Sequence, residues 1–345
     1  MESNIVSRKN QIRSILFVML LMIITILVLL KEYSIDELIS VIKTASPIYL
    51  FTGIILMFLC FGCQAVNLSM ILTSLGHPIT VRRSFQYVFV GFYFGAITPC
   101  ASGAQPAQFY YMSKEKIHID LSSITIFYMI FVSQIVILLL GGIFITMQLP
   151  SFVGMETWMK YLLLFGALYM LILIVALFSL MFSKRAVPYL MYLGFSLGVK
   201  WKLIKEPDQK KDKMEAMLLS YRGKAQMILQ HPGLFFRVLS VTLVQWLFYY
   251  LITYMVYRSF GNHSHSGLEL MSSQSIVSIS VTAVPLPGAV GIAEKAFLTK
   301  FQPYYLEHQL GLAMLLNRII NFYLPLFISF MVYLYVHFRI IRKQK

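Results

Sequence analysis

Several stretches of this sequence are apolar over enough residues to cross a membrane, and this limits the fold more than any other feature. A helix needs about 20 residues to cross a hydrocarbon core about 30 Å thick. The continuous apolar runs are residues 14–30, 47–73, 121–147, 160–183, 233–258 and 306–337. With 58% hydrophobic and 12% charged residues, we predict an all-α, polytopic membrane helix bundle that forms a single membrane domain over residues 1–345.

The first apolar run resembles a signal peptide because a basic stretch precedes it. Lys31 and Glu32 follow it directly, without a small-residue cleavage site. We therefore interpret this run as a retained first span.

The positive charges indicate which side of the membrane each loop faces. A net charge of +15 would suggest nucleic acid in a soluble protein, but here the positions of the charges matter more. Most of the 29 Lys and Arg lie in segments that a count of spans places on one side: the N-terminal stretch, 82–83, 114–116, 184–237 and 339–345. The positive-inside rule assigns that side to the cytoplasm. We predict a multi-pass cell-membrane protein with both termini cytoplasmic, no cofactor and no nucleic-acid partner.

Two further apolar segments, 84–113 and 272–301, are each interrupted near the middle. The interruptions read "AITPCASGAQPAQFYYM" and "TAVPLPGAVGIAEKAFL", which combine proline, glycine and small residues. Each half has about 12 to 15 residues, too few to cross the membrane alone. We predict that each segment is a broken re-entrant helical hairpin that enters and leaves on one face.

The two broken segments belong to an internal repeat. A shift of 186 residues (285 minus 99) lays Pro99 on Pro285 and the span 47–73 on the span 233–258. In each copy a span, a broken segment and another span follow in order, and the copies start on opposite faces. This predicts two inverted repeats, about 47–147 and 233–337, as in many secondary transporters.

The basic connector at 184–232 has a different composition from the spans. Its second half, "KKDKMEAMLLSYRGKAQMILQ", is typical of an amphipathic helix. We predict that the connector lies on the cytoplasmic membrane surface, where each nearby basic residue adds about 1 kcal/mol of attraction to anionic lipid. The alternative is a solvated loop whose charge only sets the topology.

A break at mid-membrane depth must be buried in protein or line a wet cavity, since unsatisfied backbone groups are costly in lipid. Pro99 and Pro285 are expected to end half-helices, while Gly103 and Gly288 let the chain turn back. The free N–H groups at the inward helix ends would then suit an anionic headgroup such as phosphate.

The charged residues near the second break need partners. A charge at the bilayer centre costs at least about 2.5 to 3.5 kcal/mol, so we predict that Glu294 pairs with Arg318 and that Lys295 reaches the interface or a phosphate. A static pair that only joins helices is the alternative. The candidate substrate-binding residues are Pro99, Gly103, Gln105, Gln108, Pro285, Gly288, Gly291, Glu294, Lys295, Asn317, Arg318, Asn321 and Tyr323.

Other polar residues leave two readings open. Gln64, Asn67 and Gln134 on the flanking spans either face the same cavity or join helices by hydrogen bonds. The Cys60-x-x-Cys63 pair lacks the further ligands of a zinc site and indicates two reduced residues in a helix. We expect no metal site and no catalytic residue.

Three stretches together resemble the transmembrane region of the lysylphosphatidylglycerol synthase family, also called flippase-like membrane proteins: "TPCASGAQPAQFYYM" at 98–112, "PLPGAVGIAE" at 285–294 and "LLNRIINFYLP" at 315–325. The resemblance implies that the membrane region moves a lipid such as aminoacylated phosphatidylglycerol between leaflets, and it places Pro285, Gly288, Gly291, Glu294 and Arg318 in the family pattern. Many members carry Glu and Arg in the first motif, where this chain has Gln105 and Gln108. The sequence also lacks the soluble domain that uses aminoacyl-tRNA, so we expect the chain itself to be no lysyltransferase.

We therefore expect a flippase-like transporter of an anionic or glycosylated lipid, with membrane lipids as its partners. One alternative is a secondary transporter of a small solute with Glu294 as an ion site. Another is a non-catalytic membrane partner of a lipid-modifying enzyme, docked through the basic stretch.

Overall fold

The protein is all helical wherever the structure, a computed structural model, describes it. The described residues are 45–183 and 207–343, with isolated positions at 188, 189, 192 and 196. The predicted first span and most of the connector's first half lie outside them. Within the described ranges no strand occurs, and five helices are long and apolar enough to cross a membrane: Pro47–Ser74, Ile119–Met147, Thr157–Phe182, Pro232–Ser259 and Glu307–Ile340. The prediction of an all-α polytopic bundle is confirmed.

The described helices follow the apolar runs closely. In chain order they are α1 Pro47–Ser74, α2 Val81–Ala96, α3 Ala104–Lys114, α4 Ile119–Met147, α5 Leu149–Val153, α6 Thr157–Phe182, α7 Pro207–Gln230, α8 Pro232–Ser259, α9 Gly267–Val281, α10 Ile292–Phe301, α11 Glu307–Arg318 and α12 Leu324–Lys343. Their starts carry ordinary signals: α1 and α8 begin with proline, whose missing N–H costs nothing in a first turn. The side chains of Thr80 and Ser266 cap α2 and α9.

The spans present one face to the protein and another to the surroundings. On α6, Met159, Leu163, Gly166 and Met170 are buried, whereas Phe165, Ile172, Val175 and Phe178 are exposed. A row of large exposed apolar side chains on a long helix indicates contact with lipid.

Each broken segment consists of two short helices that contact each other, joined by a turn. The first runs α2, a 3₁₀ turn at Pro99–Ala101, then α3, and the second runs α9, a 3₁₀ turn at Pro287–Ala289, then α10. The preceding helices end at Ala96 and Val281, before the prolines. Pro99 and Pro285 therefore lie in the connections and do not themselves end the helices.

Left-handed backbone makes both turns. Gly288 has φ +59°, as predicted, but in the first turn the positive φ values belong to Cys100 (51°) and Ala101 (54°). Gly103 has an ordinary φ of −80°, so the prediction that it provides the turn is wrong. A Cβ at Gly103 would instead lie closer than 3.0 Å to Thr98, whose hydroxyl accepts the Gly103 N–H.

The helices around the breaks contact one another in a regular pattern. α1 and α8 share the most extensive interface, α2 contacts α12, and α9 contacts α4. The two 3₁₀ turns contact each other. The two interruptions therefore lie against each other.

The sequence predicts the last span as one continuous helix, but its helical geometry changes midway. A π-helical segment, Ile319–Tyr323, follows Arg318 directly and leads into α12. Such segments insert an extra residue into a helix turn and often occur at functional sites.

The predicted helix in the basic connector is present as α7. Leu218, Tyr221, Ala225 and Ile228 are buried along one of its faces. Lys224 forms an ion pair with Asp120 at the start of α4. This helix is thereby attached to the body of the bundle.

Candidate substrate cavity

A cavity of about 820 Å³ lies where the two broken segments meet the spans. Its lining comes from α1, α2, α3, α4, α6, α8, α9, both 3₁₀ turns with the residues beside them, and the π-helical segment of the last span. Ligand cavities for small molecules usually have about 300 to 1,000 Å³. The space is therefore large enough for a polar headgroup.

Side-chain amides provide most of the polar lining. These amides belong to Gln64, Asn67, Gln105, Gln108, Gln134 and Gln245, with hydroxyls from Ser133, Thr242 and Thr282. Aromatic side chains complete the wall: Phe92, Phe109, Phe127, Tyr169, Trp246 and Phe322. None of the described residues that line the cavity carries a charge.

Some of the residues that line the cavity are also exposed. Cys100 and Leu286, one on each segment's connection, line it and are exposed. Tyr169 lines it from α6 and is also exposed. Tyr169 shares α6 with large exposed apolar side chains such as Phe165 and Ile172, so this side of the cavity wall lies beside the region that lipid would occupy.

A hydrogen bond between α1 and α8 orients the amide of Asn67. Thr242 donates its hydroxyl proton to the Val238 carbonyl at 2.7 Å, so its oxygen accepts from the Asn67 amide nitrogen at 3.0 Å. This fixes which end of the Asn67 amide faces Thr242. The Asn67 Oδ1 is buried in the cavity wall without a partner among the described residues.

Close helix approach positions Gln108. The Gln108 amide donates to the Tyr87 carbonyl at 3.2 Å. A Cβ at Gly91 would lie closer than 3.0 Å to the Gln108 side chain. Gly91 and Gly95, four residues apart on α2, are spaced as in small-residue helix interfaces. They leave room for α3 and bring its amides to the cavity.

Three of the predicted site residues line the cavity: Gln105, Gln108 and Gly288. Gln64, Asn67 and Gln134 line it too, and Asn67 also joins α1 to α8. The other predicted residues are not part of the lining: Pro99, Gly103, Pro285, Gly291, Glu294, Lys295, Asn317, Arg318, Asn321 and Tyr323.

Glu294 and Arg318 pair as the sequence predicts. The Arg318 Nε lies 2.6 Å from the Glu294 Oε1, and its Nη2 donates to the Gly288 carbonyl at 3.0 Å. The guanidinium also lies over the rings of Phe322, at 4.8 Å, and Tyr323, at 6.0 Å. Arg318 therefore connects the second turn and α10 to the last span.

The same carboxylate caps α10. The Gly291 N–H, at φ +86°, donates to the Glu294 Oε2 at 2.6 Å. A side chain of the protein thus satisfies one of the orphan N–H groups that a helix start offers. At the first break the Gly103 N–H is bonded to the Thr98 hydroxyl. The sequence predicts free N–H groups for an anion at these helix ends, but the Gly103 and Gly291 N–H groups are both bonded to side chains.

Asn317 and Asn321 belong to a buried hydrogen-bond network that joins three helices. Asn317 donates to Thr253 at 3.0 Å, Thr253 donates to Gln274 at 3.1 Å, and Asn321 donates to Asn317. Polar residues commonly join helices in this way within membranes.

Lys295 is exposed and points to an aromatic partner. Its Nζ lies 5.1 Å from the centre of the Trp158 ring at the start of α6. This is a cation–π contact, and the prediction that Lys295 reaches the interface or a phosphate stays a prediction.

The polar lining residues that escape the sequence reasoning include Ser133, Thr242, Gln245 and Thr282. Thr242 and Gln245 are three residues apart on α8, as are Gln64 and Asn67 on α1, so each pair shares a helix face. Polar pairs at this spacing in otherwise apolar spans are the signal that identifies them.

Among the residues that the structure describes, no three His, Cys, Asp or Glu side chains form a group that would hold a metal ion. Cys60 is buried and its Sγ lies 3.3 Å from the Gln245 carbonyl. A search of curated proteins found no match.

The sequence matches a family profile described as "Lysylphosphatidylglycerol synthase TM region" over residues 11–329. The match covers nearly the whole chain and includes both broken segments, the cavity and the Arg318 pair. This multi-pass membrane protein therefore belongs to the lysylphosphatidylglycerol synthase TM region family.

Proposed function

We propose that the protein is a flippase-like transporter that moves a lipid headgroup between leaflets through this cavity. One observation carries the proposal: an amide-lined space of about 820 Å³ lies at the junction of two broken helical segments in an otherwise apolar bundle. Polar groups inside a membrane bundle are costly unless they serve a substrate path or join helices. The family's association with lipid chemistry favours a lipid as the substrate.

The helix contacts support an inverted repeat as the basis of this transport. If α1–α4 correspond to α8–α12, the contact of α2 with α12 has its counterpart in the contact of α9 with α4. α1 contacts its own counterpart α8, and the first turn contacts the second. An internal pseudo-two-fold axis produces this pattern.

In the proposed mechanism the headgroup occupies the cavity while the acyl chains stay in lipid beside Tyr169 and α6. The two repeats rock against each other, so that the cavity opens to one leaflet at a time. Each segment would dip into the membrane from its own face, with the turns at Cys100 and Gly288 meeting at the centre. The Arg318–Glu294 pair holds the second turn and α10 to the last span during this motion.

The rival functions receive less support from the site. A cation transporter would need a free carboxylate, but both Glu294 oxygens are engaged, one by Arg318 and one by the Gly291 N–H. A partner that docks an enzyme through its basic stretch has no need of the cavity. We further propose that the chain transfers no aminoacyl group itself.

A pair of substitutions on α4 tests transport. Ile130 lines the cavity, whereas Ile143 on the same helix is 45% exposed. Ile130→Trp places an indole in the space that the headgroup would occupy. It should slow transport about tenfold or more, since an overpacked contact with the headgroup costs about 1 to 3 kcal/mol. Ile143→Trp should leave the rate unchanged.

The measurement uses purified protein in liposomes that carry acyl-labelled fluorescent lipids with different headgroups. Dithionite outside the vesicles quenches the outer leaflet, so loss of the remaining signal reports lipid movement. Wild-type rates equal to those of protein-free vesicles for every lipid would refute the proposal. Equal rates for Ile130→Trp and Ile143→Trp would show that the headgroup does not pass through the cavity.

A further inference from the structure

The cavity lining differs from what an anionic headgroup requires. The chain carries a net charge of +15, yet no described residue lining the cavity is charged. Arg318, which reaches the Gly288 carbonyl of the second turn, is paired with Glu294, and Lys295 lies against Trp158. Sites that bind phosphate usually supply Arg, Lys or several backbone N–H groups.

Three of the amides that line the cavity are free to bind a ligand. Among the described residues, the side chains of Gln64, Gln105 and Gln245 have no hydrogen-bond partner in the protein. Gln245 is only 8% exposed, so its amide is held within the wall of the cavity. The buried oxygens of Asn67 and Gln134 also lack partners.

An amide offers two donors and one carbonyl oxygen with two lone pairs. Hydroxyl groups both donate and accept hydrogen bonds. A ligand with many hydroxyls can therefore bond both the N–H₂ and the carbonyl oxygen of several amides. The lining also contains Trp246, whose ring is held by a hydrogen bond from its Nε1 to Ser133 at 3.0 Å. An oriented aromatic face suits the apolar side of a sugar ring.

From these observations we infer that the cavity binds an uncharged, hydroxyl-rich group of the glycosyl class through the amides of Gln64, Gln105 and Gln245. This inference rests on the proposed function, in which the cavity carries a lipid headgroup. The lipid would then be a neutral glycolipid. A free sugar has the same chemistry and is distinguished by the test below.

The test compares the transport of two lipids, one without a phosphate and one with it. Diglucosyl-diacylglycerol is uncharged, phosphatidylglycerol is anionic, and both headgroups contain vicinal diols. Periodate added outside sealed proteoliposomes cleaves these diols without crossing the bilayer, so oxidation beyond the outer-leaflet share reports transport of either lipid. We expect the glycolipid to move at least about tenfold faster than phosphatidylglycerol.

The variant Gln245→Met removes the polar atoms at nearly constant volume. It should slow glycolipid movement about tenfold, as expected for one lost hydrogen bond to a substrate in a buried site. The control is Gln302→Met, the same change at an exposed position outside the cavity. Thermal unfolding of both purified variants checks that each is folded.

Each outcome bears on a different claim. Faster movement of phosphatidylglycerol than of glycolipid, or an unchanged glycolipid rate in Gln245→Met, would overturn the glycosyl inference and leave lipid transport intact. If neither lipid moves but calorimetry detects the free glucose disaccharide binding, and Gln245→Met abolishes it, the sugar site stands and the lipid-transport proposal fails. Failure to move the glycolipid and to bind the disaccharide would overturn the inference.

Discussion

At the scale of single residues, charged and neutral polar side chains have different tasks in this protein. The ion pair of Glu294 and Arg318 engages both carboxylate oxygens and the Gly288 carbonyl, so it holds backbone in place. Neutral amides form the cavity. The sequence identifies the charged residues most readily because each is costly inside a membrane, but the same cost requires them to be paired within the protein.

The Glu294–Arg318 pair can be tested by a double-mutant cycle. Arg318→Met leaves a buried carboxylate without its cation, which should lower the free energy of unfolding by about 3 to 5 kcal/mol. Adding Glu294→Gln removes the unpaired charge while the new amide oxygen still accepts the Gly291 N–H, so most of the loss should be recovered. Unfolding of the single and double variants in detergent measures the coupling.

The cycle has a clear contrary result. If the double variant loses as much stability as the two single variants together, the side chains are not coupled. Arg318 would then act on the second turn only through the Gly288 carbonyl.

At the scale of the elements, glycines decide how closely the helices approach. Ile279 of α9 packs against Gly141 on α4 and Gly166 on α6. A Cβ at Gly166 would lie closer than 3.0 Å to the Ile279 carbonyl, and this neighbour is backbone that cannot rotate away. Small residues at such contacts let helices pack in the absence of a hydrophobic drive.

Gly166→Ala should therefore separate α6 from α9. Overpacking of a tight contact costs about 1 to 3 kcal/mol, which should appear as a lower midpoint of thermal unfolding. The matched control is Gly142→Ala on α4, where a Cβ meets nothing within 4 Å. There the gain in helix propensity should leave stability unchanged or raise it by up to about 1 kcal/mol.

If Gly166→Ala is as stable as the wild type and Gly142→Ala is also unaffected, the position of α6 does not depend on this contact. The interface would then be able to shift by the width of a methyl group.

At the scale of the whole molecule, the predicted arrangement in the membrane depends on how the broken segments enter it. If each dips in and returns on one face, both flanks of the first segment lie on the cytoplasmic side and both flanks of the second on the outer side. The basic residues Arg82 and Lys114 flank the first segment, which agrees with the positive-inside rule.

Cysteine labelling tests this topology. In a background without Cys60, Cys63 and Cys100, single cysteines at the exposed positions Arg82 and Lys114 should react with an impermeant maleimide only from the cytoplasmic side. Cysteines at Ser264 and Gln302, also exposed, should react only from outside. Opposite labelling of Arg82 and Lys114, or of Ser264 and Gln302, would show that a segment crosses the membrane.

By itself the sequence determined which segments become helices, where the two breaks fall and that Glu294 pairs with Arg318. These depend on hydropathy over neighbouring residues, on proline and glycine, and on the cost of a single buried charge, and each can be read along the chain. The tertiary structure alone decided which polar side chains share a space. Gln245, Gln64 and Gln105 come from separate helices, and their meeting depends on contacts between distant helices that no local pattern specifies. It also decided the π segment after Arg318 and the use of Cys100 and Ala101 in place of Gly103 in the first turn, because packing against neighbouring helices can outweigh local backbone preference.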